Sequence, residues 1–396
     1  MVDISTLSAA VVGTGFIAGV HIDALRRLGV DVRGVVGSSA ERAALGAAEL
    51  GVGYAYASFE EMLLDTAVDV VHITSPNDSH ATQAEAALRA GKHVVCEKPL
   101  AMTSKETARL RELAEETGLV AAVNFNLRFY PHVREMRERI SSDSTGTPYL
   151  VVGSYLQDWL LKDTDWNWRA DSARGGELRA VGDVGSHWFD LASFVTGRRI
   201  VEVMAELATF VPVRRKPVGP VESFSGGAGG ETVDVASSSE DAAVIMIRFE
   251  GGALGTVTVS QVSAGRKNAV SIEVNAATDS VAWCGERPDE LWIGHRSAPN
   301  EILLRDPALL TLEAGLLART PGGHAEGFEN AFLGLYRAVY GDIARGRPSP
   351  DAAYATFADG HDEMLILDAV ASSARTGRWT AVRRIPEHTR TRRSEE

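Results

Sequence analysis

The sequence predicts an α/β protein in which a doubly wound parallel sheet is followed by a second α/β unit built on a mostly antiparallel sheet. Three observations carry this. From residue 8 to about 124, short apolar runs alternate with helix-length segments, the sequence form of a parallel sheet covered on both faces. A glycine fingerprint, Gly13-Thr14-Gly15-Phe16-Ile17-Ala18, stands between the first apolar run and the first helical segment. Beyond residue 148 the runs lengthen and become alternating or rich in β-branched residues, the texture of half-buried strands.

The first-sheet strands are expected at 9–12, 32–36, 68–73, 93–96 and 119–123. The helix after the fingerprint aligns Ile17, His21, Leu25 and Leu28 on one face, and a helix over 105–117 has Gly118 as its stop signal. Second-sheet strands are expected at 149–157, 201–211, 243–249, 254–262, 269–274 and 281–284. Gly251-Gly252 forms the clearest hairpin turn, because a two-residue turn needs positive φ. The Gly-, Ser- and Pro-rich stretch 214–241 reads as a long surface loop, or a lid. Helices follow at 328–344 and 353–373, and the charged end from Glu387 onward reads as a frayed tail.

At 396 residues the chain is long enough for two domains. A formal net charge of -13 argues against a nucleic-acid partner, which needs a basic surface. Two cysteines, Cys96 and Cys284, build no disulfide framework and fit a reducing compartment. With no leader signal and no apolar run near the roughly 18 residues of a membrane span, the expected location is cytoplasmic, with no membrane partner.

The fingerprint turn has a specific chemistry. Gly13 permits the tight turn, Gly15 lets the backbone approach a pyrophosphate, and the helix N-terminus at Phe16 and Ile17 meets its negative charge. A carboxylate that would grip ribose hydroxyls at the end of the second strand is missing. That place reads Gly37-Ser38-Ser39 with Arg42 one turn on, a set that accepts a 2′-phosphate or merely caps the next helix, so the expected cofactor is NAD or NADP. Ser75-Pro76-Asn77 and His80, after strand 68–73, form either a cofactor-side loop or an ordinary capping turn. Glu97-Lys98-Pro99 ends strand 93–96, where a doubly wound sheet delivers residues to its ligand.

A second cluster runs from Gly175-Gly176 to Asp190. If 183–194 is helical, Asp183 and His187 lie one turn apart, a spacing that suits a catalytic pair, while a surface contact or a satisfied buried histidine is the plainer reading of spacing alone. The segment lacks a two-histidine metal motif, and no metal is expected.

Together the Gly-x-Gly-x-x-Ala turn, Glu97-Lys98-Pro99 and the Gly-Gly…Asp183-x-x-x-His187 segment resemble the Gfo/Idh/MocA family, relatives of glucose-fructose oxidoreductase and inositol dehydrogenase. The likeness runs from residue 8 to about 382. It implies a Rossmann domain over 1–126, a substrate-binding and oligomerisation domain with a large open sheet over 127–382, and a flexible tail over 383–396. The helix at 353–373 is expected to pack back toward the first domain. It implies a catalytic triad on Lys98, Asp183 and His187, cofactor contacts that include Glu97 and Lys98, and a homodimer or homotetramer formed through the second sheet.

Trp159, Trp166 and Trp168 crowd around Gln157, Asp158, Asp165 and Arg169, flat apolar faces mixed with polar groups that suit a sugar ring, though core packing is the plain alternative. The expected substrate-facing set is Asn126, Arg128, Gln157, Trp159, Trp168, Arg169, Asp183 and His187. The expected function is hydride transfer between nicotinamide and a secondary alcohol of a sugar, anhydrosugar or polyol. Two alternatives stand beside it: glycoside cleavage or elimination using tightly bound NAD transiently, and a nicotinamide-binding sensor without turnover.

Overall fold

The computed structural model describes residues 3–142, 145–219 and 231–384. The first sheet contains β1 (Ser8–Val12), β2 (Asp31–Val36), β3 (Ala55–Tyr56), β4 (Val70–Ile73), β5 (His93–Cys96) and β6 (Ala121–Val123). These pair in parallel in the spatial order β3-β2-β1-β4-β5-β6, the Rossmann arrangement. Every residue of β1 is buried, as a central strand covered on both faces requires. The two-residue β3 escapes the sequence pattern because it is too short to show a period. A seventh strand, Ala355–Thr356, returns from the far end of the chain and pairs antiparallel with β6.

The second sheet has nine strands. They include β7 (Pro148–Leu156), β8 (Ile200–Ala208), β11 (Ala242–Phe249), β12 (Leu254–Ser260), β13 (Ala269–Ala276), β14 (Asp279–Cys284), β15 (Glu290–His295) and β16 (Glu301–Leu304). Their order is β16-β15-β14-β13-β7-β12-β11-β8, with Thr380–Ala381 at the far edge. All pairs are antiparallel except β7 with β12. The β11–β12 hairpin turns through Gly251 and Gly252 at φ +80 and +93.

The segment 214–241 corrects the loop expectation. It carries β9 (Val213–Pro217) and β10 (Thr232–Ala236), paired antiparallel as a separate ribbon. The glycines and serines between them hid two short alternating strands. Residues 220–230 and the tail from 385 lie outside the described residues.

Helix Phe357–Thr376 joins the two sheets. A reciprocal capping box between Thr356 and Asp359 starts it, Gly377 at φ +62 ends it, and it lies against both the helix Ser104–Thr117 and β8. A cap of this kind is worth about 1 kcal/mol. Among the described residues no helix is long and apolar enough to cross a membrane, and no cluster of side chains could hold a metal ion.

Candidate active site

Three loops meet at the carboxyl ends of β1, β4 and β5, the crevice where open α/β sheets bind ligands. Gly13 has φ +112, and a Cβ there would come within 2.5 Å of Thr74 Oγ1, so the crossing with the β4 loop requires glycine. Gly15 differs. A Cβ there meets no protein atom within 4 Å, and no side chain caps the helix Phe16–Leu28 that follows. The chain therefore leaves a cradle above an uncapped helix N-terminus, which fits a dinucleotide pyrophosphate. Phe16, 60% exposed, lies at its rim.

At the end of β2, Ser39 is the N-cap of the helix Ala40–Glu49, its Oγ accepting the Arg42 N–H at 3.2 Å, so the capping reading holds for that serine. Ser38 and Arg42 are exposed. After β4, Ser75 Oγ donates to Gln83 Oε1 at 2.6 Å, Pro76 is the N-terminal flank of the helix Asn77–Arg89, and Asn77 Nδ2 donates to the Gly175 carbonyl at 3.1 Å. His80 departs from the cofactor-facing expectation. It is buried, with Nδ1 2.7 Å from the Pro99 carbonyl and Nε2 2.8 Å from the Ser75 carbonyl, so it braces two loops rather than presenting a free nitrogen.

Glu97 is held from beneath. His21 Nε2 lies 3.1 Å from its Oε1, Asn124 Nδ2 donates to the same oxygen, and Oε2 accepts the Lys98 N–H at 3.2 Å. Behind His21, a buried chain continues through His72 Nδ1 at 3.0 Å to the Tyr340 hydroxyl, 2.9 Å from His72 Nε2. Burial pushes the Glu97 carboxyl up, but the His21 hydrogen bond, the charges of His21 and Lys98, and the Asn124 donor outweigh it and hold it below the usual range. Its partners fix Glu97 as an anion at the base of the Lys98 backbone.

Lys98 reaches across to the second unit. Its Nζ donates to the main-chain oxygen of Asp183 at 2.7 Å and to Oδ1 at 2.8 Å. Asp183 Oδ1 also accepts Arg169 Nε at 3.1 Å, and Oδ2 accepts Gln261 Nε2 at 2.8 Å. Burial raises the Asp183 carboxyl, yet Lys98 and then Arg169 overcome this and leave it well below the ordinary carboxylate range.

Asp183 lies within a π-helical turn, Val181–Gly185, closed by the Ser186 N–H donating to the Val181 carbonyl, and the α-helix runs only from Ser186 to Thr196. This corrects the expectation of one α-helix over 183–194. Asp183 does not hydrogen-bond His187; its carboxylate oxygens accept from Lys98, Arg169 and Gln261 instead. Among the described residues His187 has no hydrogen-bond partner at either ring nitrogen, and its Nδ1 is buried. Its ring packs edge-on to Phe125, with centroids 5.7 Å apart, and beside Tyr155. Burial, then the Lys98 charge, lowers its pKa to about 3. The site thus pairs an immobilised ammonium with a neutral imidazole that has an unused acceptor, a set able to hydrogen-bond and deprotonate a hydroxyl.

The flanking wall comes from residues 157–169. Trp159 Nε1 donates to Gln157 Oε1 at 2.8 Å, Gln157 Nε2 donates to Asn268 Oδ1 at 3.0 Å, and the Arg169 guanidinium lies 4.4 Å from the Trp168 ring centre. Asn126 is buried with an unpartnered Nδ2. Arg128 corrects another expectation. Buried and paired to Asp190 through Nε at 3.0 Å and to Asp359 at 3.1 Å, it is held by two carboxylates as a structural cation. Gln261, His72 and Asn124 were invisible in the sequence, since each stands singly in an apolar or polar run without a motif, and His21 was read only as part of a helix face.

Residues 7–125 match the model of the oxidoreductase family with an NAD-binding Rossmann fold, GFO_IDH_MocA, and residues 133–281 match the GFO/IDH/MocA C-terminal domain. The chain belongs to the Gfo/Idh/MocA family. This Gfo/Idh/MocA oxidoreductase is 29% identical over 394 residues to levoglucosan dehydrogenase of Pseudarthrobacter phenanthrenivorans, covering 96% of this chain and 99% of that one. A solved oxidoreductase domain protein from Kribbella flavida is 31% identical, with a TM-score of 0.86 over 96% of this chain and 100% of that one. A levoglucosan dehydrogenase structure in complex with NADH and L-sorbose has a TM-score of 0.85 at 28% identity, over 96% of this chain and 99% of that one. The chain is thus an NAD(P)-dependent oxidoreductase of a family whose members include sugar dehydrogenases.

Proposed function

We propose that this protein transfers hydride between nicotinamide and a secondary carbinol of a pyranose-like sugar, with 1,6-anhydro sugars and inositols as the first candidates. The single observation that carries the reading is the Lys98–Asp183 pair beside an unpartnered, neutral His187. When bound, the nicotinamide supplies the hydride acceptor.

Every other task falls to the chain. His187 takes the hydroxyl proton on oxidation and returns it on reduction. Lys98 Nζ hydrogen-bonds the same oxygen and stabilises the charge that develops there. Asp183 holds Lys98 and Arg169 in place and leaves the histidine free, a different role from orienting the ring. Trp159 and Trp168 offer flat faces to the sugar, while Gln157, Arg169 and Asn126 offer polar groups to its hydroxyls. The likeness to levoglucosan dehydrogenase along nearly the whole chain supports this substrate class. Glu97, Ser75 and Asn77 line the cofactor side with the Gly13–Gly15 turn, and Ser38 and Arg42 stand where a 2′-phosphate would lie.

We further propose the domain division at residues 126 and 127, and assembly through the second sheet. Its outward face, covered by no element among the described residues, carries Leu150, Val244, Met246 and Leu254, all exposed. Apolar surface of this kind is the usual mark of a subunit contact.

The test is a panel of anhydro sugars, pyranosides and inositols assayed in parallel with NAD and NADP. Steady NADH formation on an anhydro sugar or pyranoside supports the reading. Product release without net NADH would favour transient oxidation, and cofactor binding without turnover on any member would favour a sensor.

A further inference from the structure

Between the turn carrying Asp183 and the aromatic wall at 157–169 lies a buried cluster of four charges. Arg179, Arg214, Glu240 and Asp241 are each no more than 4% exposed. The Glu240 carboxylate accepts the Val181 N–H at 2.8 Å and the Arg179 N–H at 3.1 Å, so it anchors the very start of the π-helical turn. The Arg179 guanidinium donates to the Glu240 carbonyl at 3.0 Å and also to Asp241 Oδ1. Asp241 Oδ1 takes Arg214 at 2.6 Å, and its Oδ2 takes the N–H groups of Phe210 and Val211.

Arg214 comes from β9 of the ribbon. Its Nη1 donates to the carbonyls of Leu160 at 3.0 Å, Lys162 at 3.2 Å and Asp165 at 3.3 Å, three main-chain acceptors on one loop. The same loop is seated on the site's other side, where the Leu160 N–H donates to the carbonyl of Gln261, whose side chain holds Asp183. Arg215 adds an exposed double contact to Asp163, and Lys216 lies 5.4 Å from the centre of the Trp166 ring. A buried guanidinium that gathers three carbonyls of an irregular loop is a costly arrangement unless the loop's position matters.

We propose that Arg214 is the positioning residue that sets the aromatic wall against the catalytic turn, acting through the loop carbonyls and through Asp241, Arg179 and Glu240. The ribbon β9–β10 is then a strap for the sugar-facing loop, not a free lid. This rests on the reading of that loop as substrate-facing. Loss of Arg214 loosens Trp159, Trp166 and Trp168 while leaving the Gly13–Gly15 cradle, more remote in the fold, untouched.

The test compares Arg214→Met, Arg214→Lys and Arg215→Ala in the full chain by amide hydrogen exchange over 158–168, sugar KM and kcat, cofactor affinity and melting temperature. Arg214→Met loses three hydrogen bonds to the loop, so exchange there and sugar KM should each rise about tenfold or more, with kcat changed less and cofactor affinity unchanged. Arg214→Lys should recover part of both, and Arg215→Ala, whose pair is exposed, should change little. A folded Arg214→Met protein with unchanged exchange over 158–168 overturns the proposal, as does a parallel loss of cofactor affinity. If Arg214→Met does not fold, Arg214→Lys decides by the same two readouts. The exchange arm reads the strap even if no sugar is turned over, so failure of the sugar reading and failure of the strap are told apart.

Discussion

Lys98 Nζ stands 2.7 Å from the main-chain oxygen of Asp183 and 2.8 Å from its Oδ1, so a strand end of the first sheet and a helical turn of the second unit are joined at one ammonium. Both side chains are largely buried, at 9% and 15% exposure. In such a setting the pair matters less as a contact than as an arrangement whose halves cannot be removed singly.

Asp183→Asn leaves Lys98 and Arg169 facing an amide that neutralises neither. Stability should fall by about 3 kcal/mol, the cost of leaving a buried charge uncompensated, and turnover should fall with it. Chemical denaturation together with kcat reads both. An unchanged unfolding midpoint would show that solvent screens the cations.

Acid should destabilise the protein between pH 7 and 5, because the histidines lowered in the fold outnumber the groups raised there, among them His295 and the buried Glu240 and Glu363, which act the other way. His187, lowered to about 3, and His72, His93, His132 and His361, all lowered by burial, bind fewer protons folded than unfolded. Below the unfolded histidine value of about 6.5 the unfolded chain gains protons that the folded chain refuses, so stability falls as pH drops from 7 toward 5. Asp183 and Glu97, depressed when folded, add their loss only below about 4. A melting temperature that is flat or rising from pH 7 to pH 5 contradicts this.

The cofactor site offers two substitutions with opposite expectations. Gly15→Leu puts a side chain into the cradle, where a Cβ meets no protein atom within 4 Å beyond its chain neighbours, so cofactor titration should be abolished while the melting temperature holds. For cofactor choice the useful position is Ser38. Gly37 cannot carry a side chain, because a Cβ there would lie 2.4 Å from the Ala43 backbone nitrogen. Ser38→Asp should repel a 2′-phosphate and move the ratio of NAD to NADP affinity toward NAD by about tenfold, measured by fluorescence titration.

How far the sequence could be read depended on whether a residue's partner was local. The Rossmann strands, the β11–β12 turn and the glycine fingerprint are written in short-range periodicity and φ demands, and they stand where the pattern put them. Lys98, Asp183 and His187 were legible as a set through the three motifs. Their connections were not. That Asp183 grips Lys98 rather than His187 depends on Arg169 and Gln261, 14 and 78 residues away in the chain. Arg128 looked like a ligand-facing cation because nothing nearby in sequence revealed Asp190 and Asp359. The ribbon β9–β10 was hidden by its glycine-rich middle, and its significance lies in Arg214, whose acceptors are 49 to 54 residues distant.

The most direct test of the central claim, that Lys98 and His187 act on one substrate oxygen, is a double-mutant cycle on the initial rate of NADH formation with the best sugar of the panel. His187→Ala and Lys98→Ala should each cut kcat by about 10²- to 10⁴-fold with cofactor affinity little changed. The double variant should fall no more than about tenfold below the poorer single one, since groups serving one oxygen are not independent. Losses that multiply in full would contradict a shared oxygen and assign the two residues to separate steps.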